Sequence, residues 1–402
     1  MNYNDKYEIM ISAFALDPNK GTEPGNGWRW AYGMLDHFAH VHVLTRSDNR
    51  KGVENFLEKN TTVNVSNLTI HYIDTKKIPI GGSYVLWQID AFKKAKKIIR
   101  NSNIKLIHHV TYGSLQGGSF LWKMQTPFIF GPVGGGQTSP FKMRQIFGKK
   151  QIAEGIRTIV TRVIHISPVH RALARWASMV LTTNSDTYKI VNKLGGRNIR
   201  MFLDSGIDED LILRGVKEPS HNLKILWVGR LMPRKGILLA VESLSILKKH
   251  VNFEATIVGD GEQLQEAKNL ADRLGILDKI SFLGQIDHDK VFDMYKEHDI
   301  LLFTSVRDSF GSQVLEALSQ GVPVVCLDHQ GVADFLTEEI SFKAEIGNYR
   351  ETVENLTGAI LRYASQSSEE KKIMVKDCIS FSMQHTWNKR IEDMLKIYSD
   401  IL

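Results

Sequence analysis

The chain is expected to be an α/β protein built from two Rossmann-like, doubly wound parallel-sheet domains facing a central cleft. Short apolar runs, many of them closed by glycine, alternate with helical periodicity from end to end. The 402 residues exceed what one hydrophobic core organises, since single cores stop growing at about 250–300 residues. Charge also changes sign midway: 28 Lys/Arg against 13 Asp/Glu through Ser205 leave +15, and 23 against 31 thereafter leave −8.

Taken in order, strands are read at 7–13, 41–45, 68–73, 106–110, 128–130 and 179–183, with helical or looping segments between them. A second set follows at 223–228, 254–258, 279–283, 300–304 and 323–327. Short connectors and glycines after many of these strands fit parallel sheets whose ligands lie at the C-terminal edges. The domain boundary is placed near Gly206, within Asp204-Ser-Gly-Ile-Asp208, giving domains 1–205 and 206–380. The last segment, 381–402, carries Trp387, Ile391, Leu395 and Tyr398 at helical spacing.

Composition narrows the function classes. Cys326 and Cys378 are the only cysteines, which fits buried free thiols in a reducing compartment rather than a disulfide framework. Residues 1–7 are polar and lack the apolar centre of a signal peptide, and no apolar run approaches the roughly 20 residues of a membrane span. A cytoplasmic location is therefore expected. The cations are concentrated in the first half, where Lys93, Lys94, Lys96, Lys97 and Arg100 crowd one segment and Phe141–Lys150 mixes cations with Phe, Met and Ile. That mixture suits peripheral contact with an anionic membrane surface, and equally a solvated face. A nucleic-acid partner is not expected, for no recognition helix, zinc-finger spacing or RNA-binding aromatic signature occurs.

Three segments carry chemistry. Asp308-Ser-Phe310-Gly311-Ser312-Gln-Val-Leu-Glu316 sets two carboxylates on either side of a strand-to-helix junction, and the helix is read over 313–320. A helix N-terminus between two acids suits an elongated ligand with an anionic middle, such as a nucleotide diphosphate sugar. Val228-Gly-Arg230-Leu-Met-Pro-Arg-Lys235-Gly236 leaves one strand and enters a helix read over 237–249, placing Arg230 and Lys235 beside backbone donors. Gly21-Thr-Glu-Pro-Gly25-Asn26-Gly27-Trp28-Arg-Trp30 follows the first strand, with a helix beginning near Asn26 or Gly27. It reads as a phosphate-approach loop or as a tight structural turn, with both tryptophans in packing.

The run Gly-Arg-Leu-x-x-x-Lys-Gly, then Ile257-Val-Gly-Asp-Gly-Glu262, Phe282-Leu-Gly284, the acid pair, and Gly321-Val-Pro-Val-Val325 resembles the C-terminal half of retaining glycosyltransferases of family 4 over about 120 residues. The resemblance implies a GT-B fold and retaining transfer of a hexosyl-type unit from a nucleotide diphosphate sugar. The acceptor would be a hydroxyl of a saccharide or lipid-linked saccharide in bacterial surface polysaccharide assembly. By it, Arg230 and Lys235 hold the donor diphosphate, Glu316 binds the ribose and Asp308 faces the donor sugar. Gly284, Phe310, Gly311 and Ser312 line the donor side. Gly25, Asn26 and Gly27 resemble the family's N-domain glycine loop, and Gly135, in the 131–137 segment, would line the acceptor side. The family often has Asp-x-x-His-x-His where this chain has Lys105 and Val110 in the first and last places; by that resemblance a register shift gives His109 the catalytic role, while on the residues alone a strand-end histidine reads as structural. Asp308 stands where Glu is usual. The terminal segment would brace the first domain. No cofactor is implied, the nucleotide sugar being a substrate, and with no Asp-x-Asp cluster a divalent metal is not strictly required. A GT-B epimerase or phosphorylase, and more remotely a polyanion-binding protein, are the rival classes.

Overall fold

The computed structural model describes residues 3–61, 63–75, 82–215 and 217–402. It divides into two compact units. The first holds 1–136, Thr161–Gly206 and Trp387–Leu402, and the second holds Gln137–Val160 and Ile207–Thr386. The first two residues of the polar 1–7 stretch lie outside the described residues.

Unit one carries β1 (Tyr3–Ala13), β2 (Phe38–Arg46), β3 (Leu68–Ile73), β4 (Ile104–Thr111), β5 (Phe128–Val133), β6 (Met179–Thr182) and β7 (Ile199–Met201). They pair in parallel in the order β3-β2-β1-β4-β5-β6-β7. Unit two carries β8 (Leu223–Val228), β9 (Phe253–Val258), β10 (Ile280–Gly284), β11 (Ile300–Phe303), β12 (Val324–Leu327) and β13 (Ser341–Ala344). Their order, β10-β9-β8-β11-β12-β13, is again parallel throughout. In each sheet the winding reverses beside the first strand, at β1/β4 and at β8/β11, and such switch points are where open α/β sheets leave a crevice.

The central strands read as near-continuous apolar runs because helices cover both faces. Ile300–Phe303 and Val324–Leu327 are buried at every position. Both cysteines are free and buried, Cys326 in β12 and Cys378 in the helix Ser368–Met383, and burial pushes the Cys326 thiol up to about 12. No helix among the described residues is long and apolar enough to cross a membrane.

Three features depart from the sequence reading. β7 and β13 went unread. Gln137–Val160 leaves the first unit and packs with the second, so the first unit is not the continuous 1–205. The return to the first unit begins at Trp387 rather than at 381: the helix Trp387–Ser399 buries Ile391, Met394, Leu395, Ile397 and Tyr398 in the core that contains Ile9, Ile11, Trp30 and Phe38.

One polar link ties that helix to β4. His108 is fully buried; its Nδ1 meets the Tyr398 hydroxyl at 2.6 Å and its Nε2 meets the Gly131 carbonyl at 2.5 Å. Burial holds its pKa down to about 3. The neutral ring must therefore donate from Nε2 to the carbonyl and accept from Tyr398 at Nδ1. Tyr398→Phe leaves that nitrogen buried without a donor and is expected to cost about 1–3 kcal/mol, read as a lower unfolding midpoint in denaturant.

Candidate active site

The switch point of unit two positions a charged cluster. β8 gives way to Gly229 and Arg230, and the turn Pro233–Lys235 leads through Gly236 into the helix Ile237–Leu247. Gly236 has φ +69, and a Cβ there would lie 2.2 Å from the Thr304 carbonyl, so only glycine lets this turn press on the end of β11. The Thr304 hydroxyl lies 2.9 Å from the carbonyls of both Lys235 and Gly236, while Trp227 Nε1 donates to it at 3.0 Å. Val306 N and Ser305 Oγ both donate to the Arg234 carbonyl. The loops after β8 and β11 are thereby stitched together.

Asp308 sits where they meet. Its Oδ2 is paired with Lys235 Nζ and lies 3.4 Å from Arg234 Nη1. Burial raises the carboxyl's pKa, but the Lys235 and Arg234 charges outweigh it and hold the group below the usual carboxylate range. Lys235 is also lowered, first by burial and then by repulsion from Arg234 and Arg230, which Asp308 does not fully offset. The two shifts agree on one point: Lys235 and Arg234 share a single carboxylate with Arg230 near by, and the cluster carries surplus positive charge. Arg230 is exposed at its rim.

Beyond Asp308 the chain turns through Gly311, φ +98, into the helix Ser312–Ser319, whose N-terminus no side chain caps. Its amide dipoles add to the positive field. Phe310 is a correction to the sequence reading for its side chain: it is 1% exposed and its ring packs edge-on against Phe335, so the ring supports the elbow from beneath. Gly284, φ +70, closes β10 with open space around it. Glu316 lies one turn into the helix, its Oε2 accepting from Tyr295 at 3.0 Å and its Oε1 3.3 Å from His288 Nε2. The hydrogen bond and charge of Glu316 raise the His288 pKa above 6.5.

Sequence reasoning missed Arg234, Tyr295, His288 and Gln330. Arg234 was visible as the cation beside Lys235. The others come from distant segments: Gln330 Oε1 accepts from Asp308 N at 2.8 Å while its amide donates to the Thr138 carbonyl at 3.0 Å. Gln137 Nε2 donates to Ser309 Oγ at 3.0 Å. A hollow of about 670 Å³ borders the same loop at Pro233 and is lined also by Phe147, Leu238, Glu262 and Tyr349.

The remaining expected residues belong to unit one. The helix Thr22–Tyr32 begins before Asn26, so Gly25, Asn26 and Gly27 lie in its first turns rather than in a loop. A Cβ on Gly25 would come within 2.2 Å of the Lys20 carbonyl and one on Gly27 within 2.2 Å of the Ala15 carbonyl. Close packing of the chain on itself already requires both glycines. Trp28 and Trp30 are buried in the core, as read. Gly135, φ +100, presses against the Gln116 amide. His109 is the second correction. It is fully buried, with Nδ1 3.1 Å from Ser12 Oγ, Nε2 3.4 Å from the Tyr84 hydroxyl, and the Phe130 ring beside it. Burial lowers its pKa to about 4, so it is a neutral packing residue and not a surface acid or base.

Residues 208–375 match the family described as glycosyl transferases group 1. An uncharacterized glycosyltransferase of Methanocaldococcus jannaschii is 27% identical over 175 residues, covering 43% of this chain and 44% of that protein. The chain thus spans less than half the length of this curated relative. Among solved structures, the lipopolysaccharide outer core galactosyltransferase WaaB superposes with a TM-score of 0.68 at 13% identity, over 98% of this chain and 99% of that one. Anabaena HepE in complex with UDP and glucose superposes at 0.63 and 16% identity, over 98% and 100%. These likenesses establish the fold.

A pH effect follows from His288. Because its folded pKa is raised, its contact with Glu316 stabilises fully below the unfolded value of 6.5 and is lost as pH rises through the higher folded value. The stability difference between the wild type and His288→Gln is expected to shrink as pH rises from about 6.5 through the raised folded value, as read by thermal unfolding. A difference constant across that range would remove the ion pair.

Proposed function

With residues 208–375 a glycosyl transferases group 1 domain in a chain of GT-B fold, we propose that the protein is a retaining glycosyltransferase. It moves a hexosyl unit from a nucleotide diphosphate sugar to a hydroxyl of a lipid-linked saccharide in bacterial surface polysaccharide assembly. The observation that carries the reading is the cation surplus around Asp308, set against an uncapped helix N-terminus with Glu316 four residues along. At 1.5 Å rise per residue, about 6 Å separates the amides at the helix start from Glu316, a span suited to phosphate and ribose of one nucleotide.

Arg230, Arg234 and Lys235 bind the diphosphate, and Glu316, held by Tyr295 and His288, accepts from the ribose hydroxyls. Asp308 orients Lys235 and Arg234 and faces the sugar. Gly284, Gly311 and Ser312 offer backbone close to the nucleotide. Gly25, Asn26, Gly27 and Gly135 are assigned to the diphosphate and acceptor side. In the reaction the bond from the anomeric carbon to the diphosphate breaks, the bond to the acceptor oxygen forms on the same face, and the acceptor proton passes to the departing phosphate. Cations that meet charge only as it develops lower the barrier for that departure, and they do so without requiring a divalent ion. The names of WaaB and of the UDP-bound HepE structure support a sugar acceptor in lipopolysaccharide-type assembly and a uridine donor.

Lys235→Ala is expected to reduce kcat by about 10²–10³-fold. Glu316→Ala is expected to weaken nucleotide binding by roughly 10–100-fold, read by calorimetry, the range for losing charged hydrogen bonds. Transfer at the wild-type rate by the lysine variant would remove it from the leaving-group role. Chelator is expected to leave the transfer rate unchanged; abolition of turnover, restored by magnesium, would overturn metal independence.

A further inference from the structure

The helix Gln151–Val163 is inside out. Its polar residues Glu154, Thr158 and Thr161 are 6%, 2% and 1% exposed, whereas Ile152, Ile156, Ile159 and Val160 are 77%, 58%, 60% and 51% exposed. A surface helix of a globular protein ordinarily turns its apolar stripe inward. Here the polar side is anchored: Glu154 Oε1 accepts from Ser139 Oγ at 2.8 Å and is ion-paired with Arg307 Nε at 3.0 Å, and Thr158 Oγ1 donates to the Glu154 carbonyl. Rolling the helix to bury its isoleucines would strand a carboxylate and a guanidinium away from each other in the interior.

The surroundings select the occupant of the exposed stripe. Between residues 138 and 184 the sequence has eight Lys/Arg and one acid, Glu154, whose charge is already paired inward. A second copy of the chain meeting this face about a two-fold axis would bring the two like-charged surfaces together. Lys150 is paired with Glu262 and Arg157 is turned toward Glu154, but Lys142, Lys149 and Arg162 are exposed; an aliphatic stripe beside such cations instead matches an anionic lipid surface, with the stripe at the headgroup boundary and the cations over the phosphates. The preceding segment Phe141–Lys150, expected from sequence to make that contact, does not present the mixed face: Met143, Ile146 and Phe147 are buried and Phe141 alone of its apolar residues is exposed.

We propose that Gln151–Val163 is an in-plane docking helix for anionic bilayers, an assignment that deepens the lipid-linked acceptor reading and rests on it for its purpose. The test uses the full chain with extruded vesicles of phosphatidylglycerol and phosphatidylethanolamine, against phosphatidylcholine alone, by co-sedimentation at low and high salt. Wild type is expected to favour the anionic vesicles, less so as salt rises. The triple variant Ile152→Ser, Ile156→Ser, Ile159→Ser should bind at least about tenfold more weakly, each buried methylene counting. Lys149→Glu with Arg162→Glu should lose the salt-dependent part. Hydrolysis of the nucleotide sugar without vesicles reports folding. If the triple variant loses it, Ile152→Ser alone carries the comparison and must also weaken binding. No wild-type binding to anionic vesicles at low salt, or equal binding by the stripe variants, overturns the proposal. So does light scattering that shows a wild-type dimer, a monomeric variant and no vesicle binding. Vesicle binding without donor turnover in any form would leave docking standing and remove the glycosyl-transfer reading.

Discussion

Two cations, Lys235 and Arg234, paired on one largely buried carboxylate are the constraint on which the loops of unit two depend. Burying Asp308 alone would push its proton back on, and burying Lys235 alone would drive its proton off. Together they hold, but the account does not close at neutrality, because Arg234 and Arg230 add positive charge that nothing in the cluster cancels. An anion is the natural complement. The surrounding architecture serves to keep these groups in register: Gly236 removes the Cβ that would separate the two loops, and the Thr304 hydroxyl engages two successive carbonyls while accepting from Trp227. The topology decides where this happens, since β8 and β11 are neighbours in the sheet but lie on opposite sides of the winding reversal.

Most of this was legible in the sequence, for reasons that also explain what was not. Eleven strands could be read because buried parallel strands are continuous apolar runs punctuated by glycine. Ile199–Met201 is three residues long, too short for any period to appear, and Ser341–Ala344 mixes Ser and Lys into its run. Lys235, Asp308 and Glu316 stood out through local spacing. The groups that hold Glu316 and the Asp308 backbone could not, because Tyr295 is 21 residues away in the chain and Gln330 is 22. Contacts of that kind are a property of the sheet order and not of any window of sequence.

The two overturned assignments share a cause. Phe310 and His109 lie in or beside segments that look functional, and local pattern cannot tell a side chain that faces the crevice from its neighbour that faces the core. In a strand the two alternate, and around a strand exit the direction depends on the turn. The glycines at 25 and 27 make a related point: a small residue demanded by self-packing against Lys20 and Ala15 has the same appearance as one demanded by a ligand.

The dipeptide Arg307-Asp308 joins the two unusual features of unit two. Asp308 turns its side chain to Lys235 and Arg234; Arg307 turns its own to Glu154 on the inverted helix, while its carbonyl accepts from Arg234 Nη1 at 3.2 Å. Burial, together with repulsion from Arg157 and Arg234, lowers the Arg307 pKa to about 10, and Glu154 is the acid that counters it. The carboxylate that keeps the isoleucine stripe pointed outward is therefore the one that neutralises a guanidinium adjoining the Asp308 cluster. Replacing Glu154 by an apolar residue would free the helix to turn its stripe inward and would also leave a further uncompensated cation beside Asp308. The inverted helix and the cation cluster on Asp308 are thus joined in one charge arrangement, which gives a physical reason for Gln137–Val160 to pack with the second unit although its chain neighbours belong to the first.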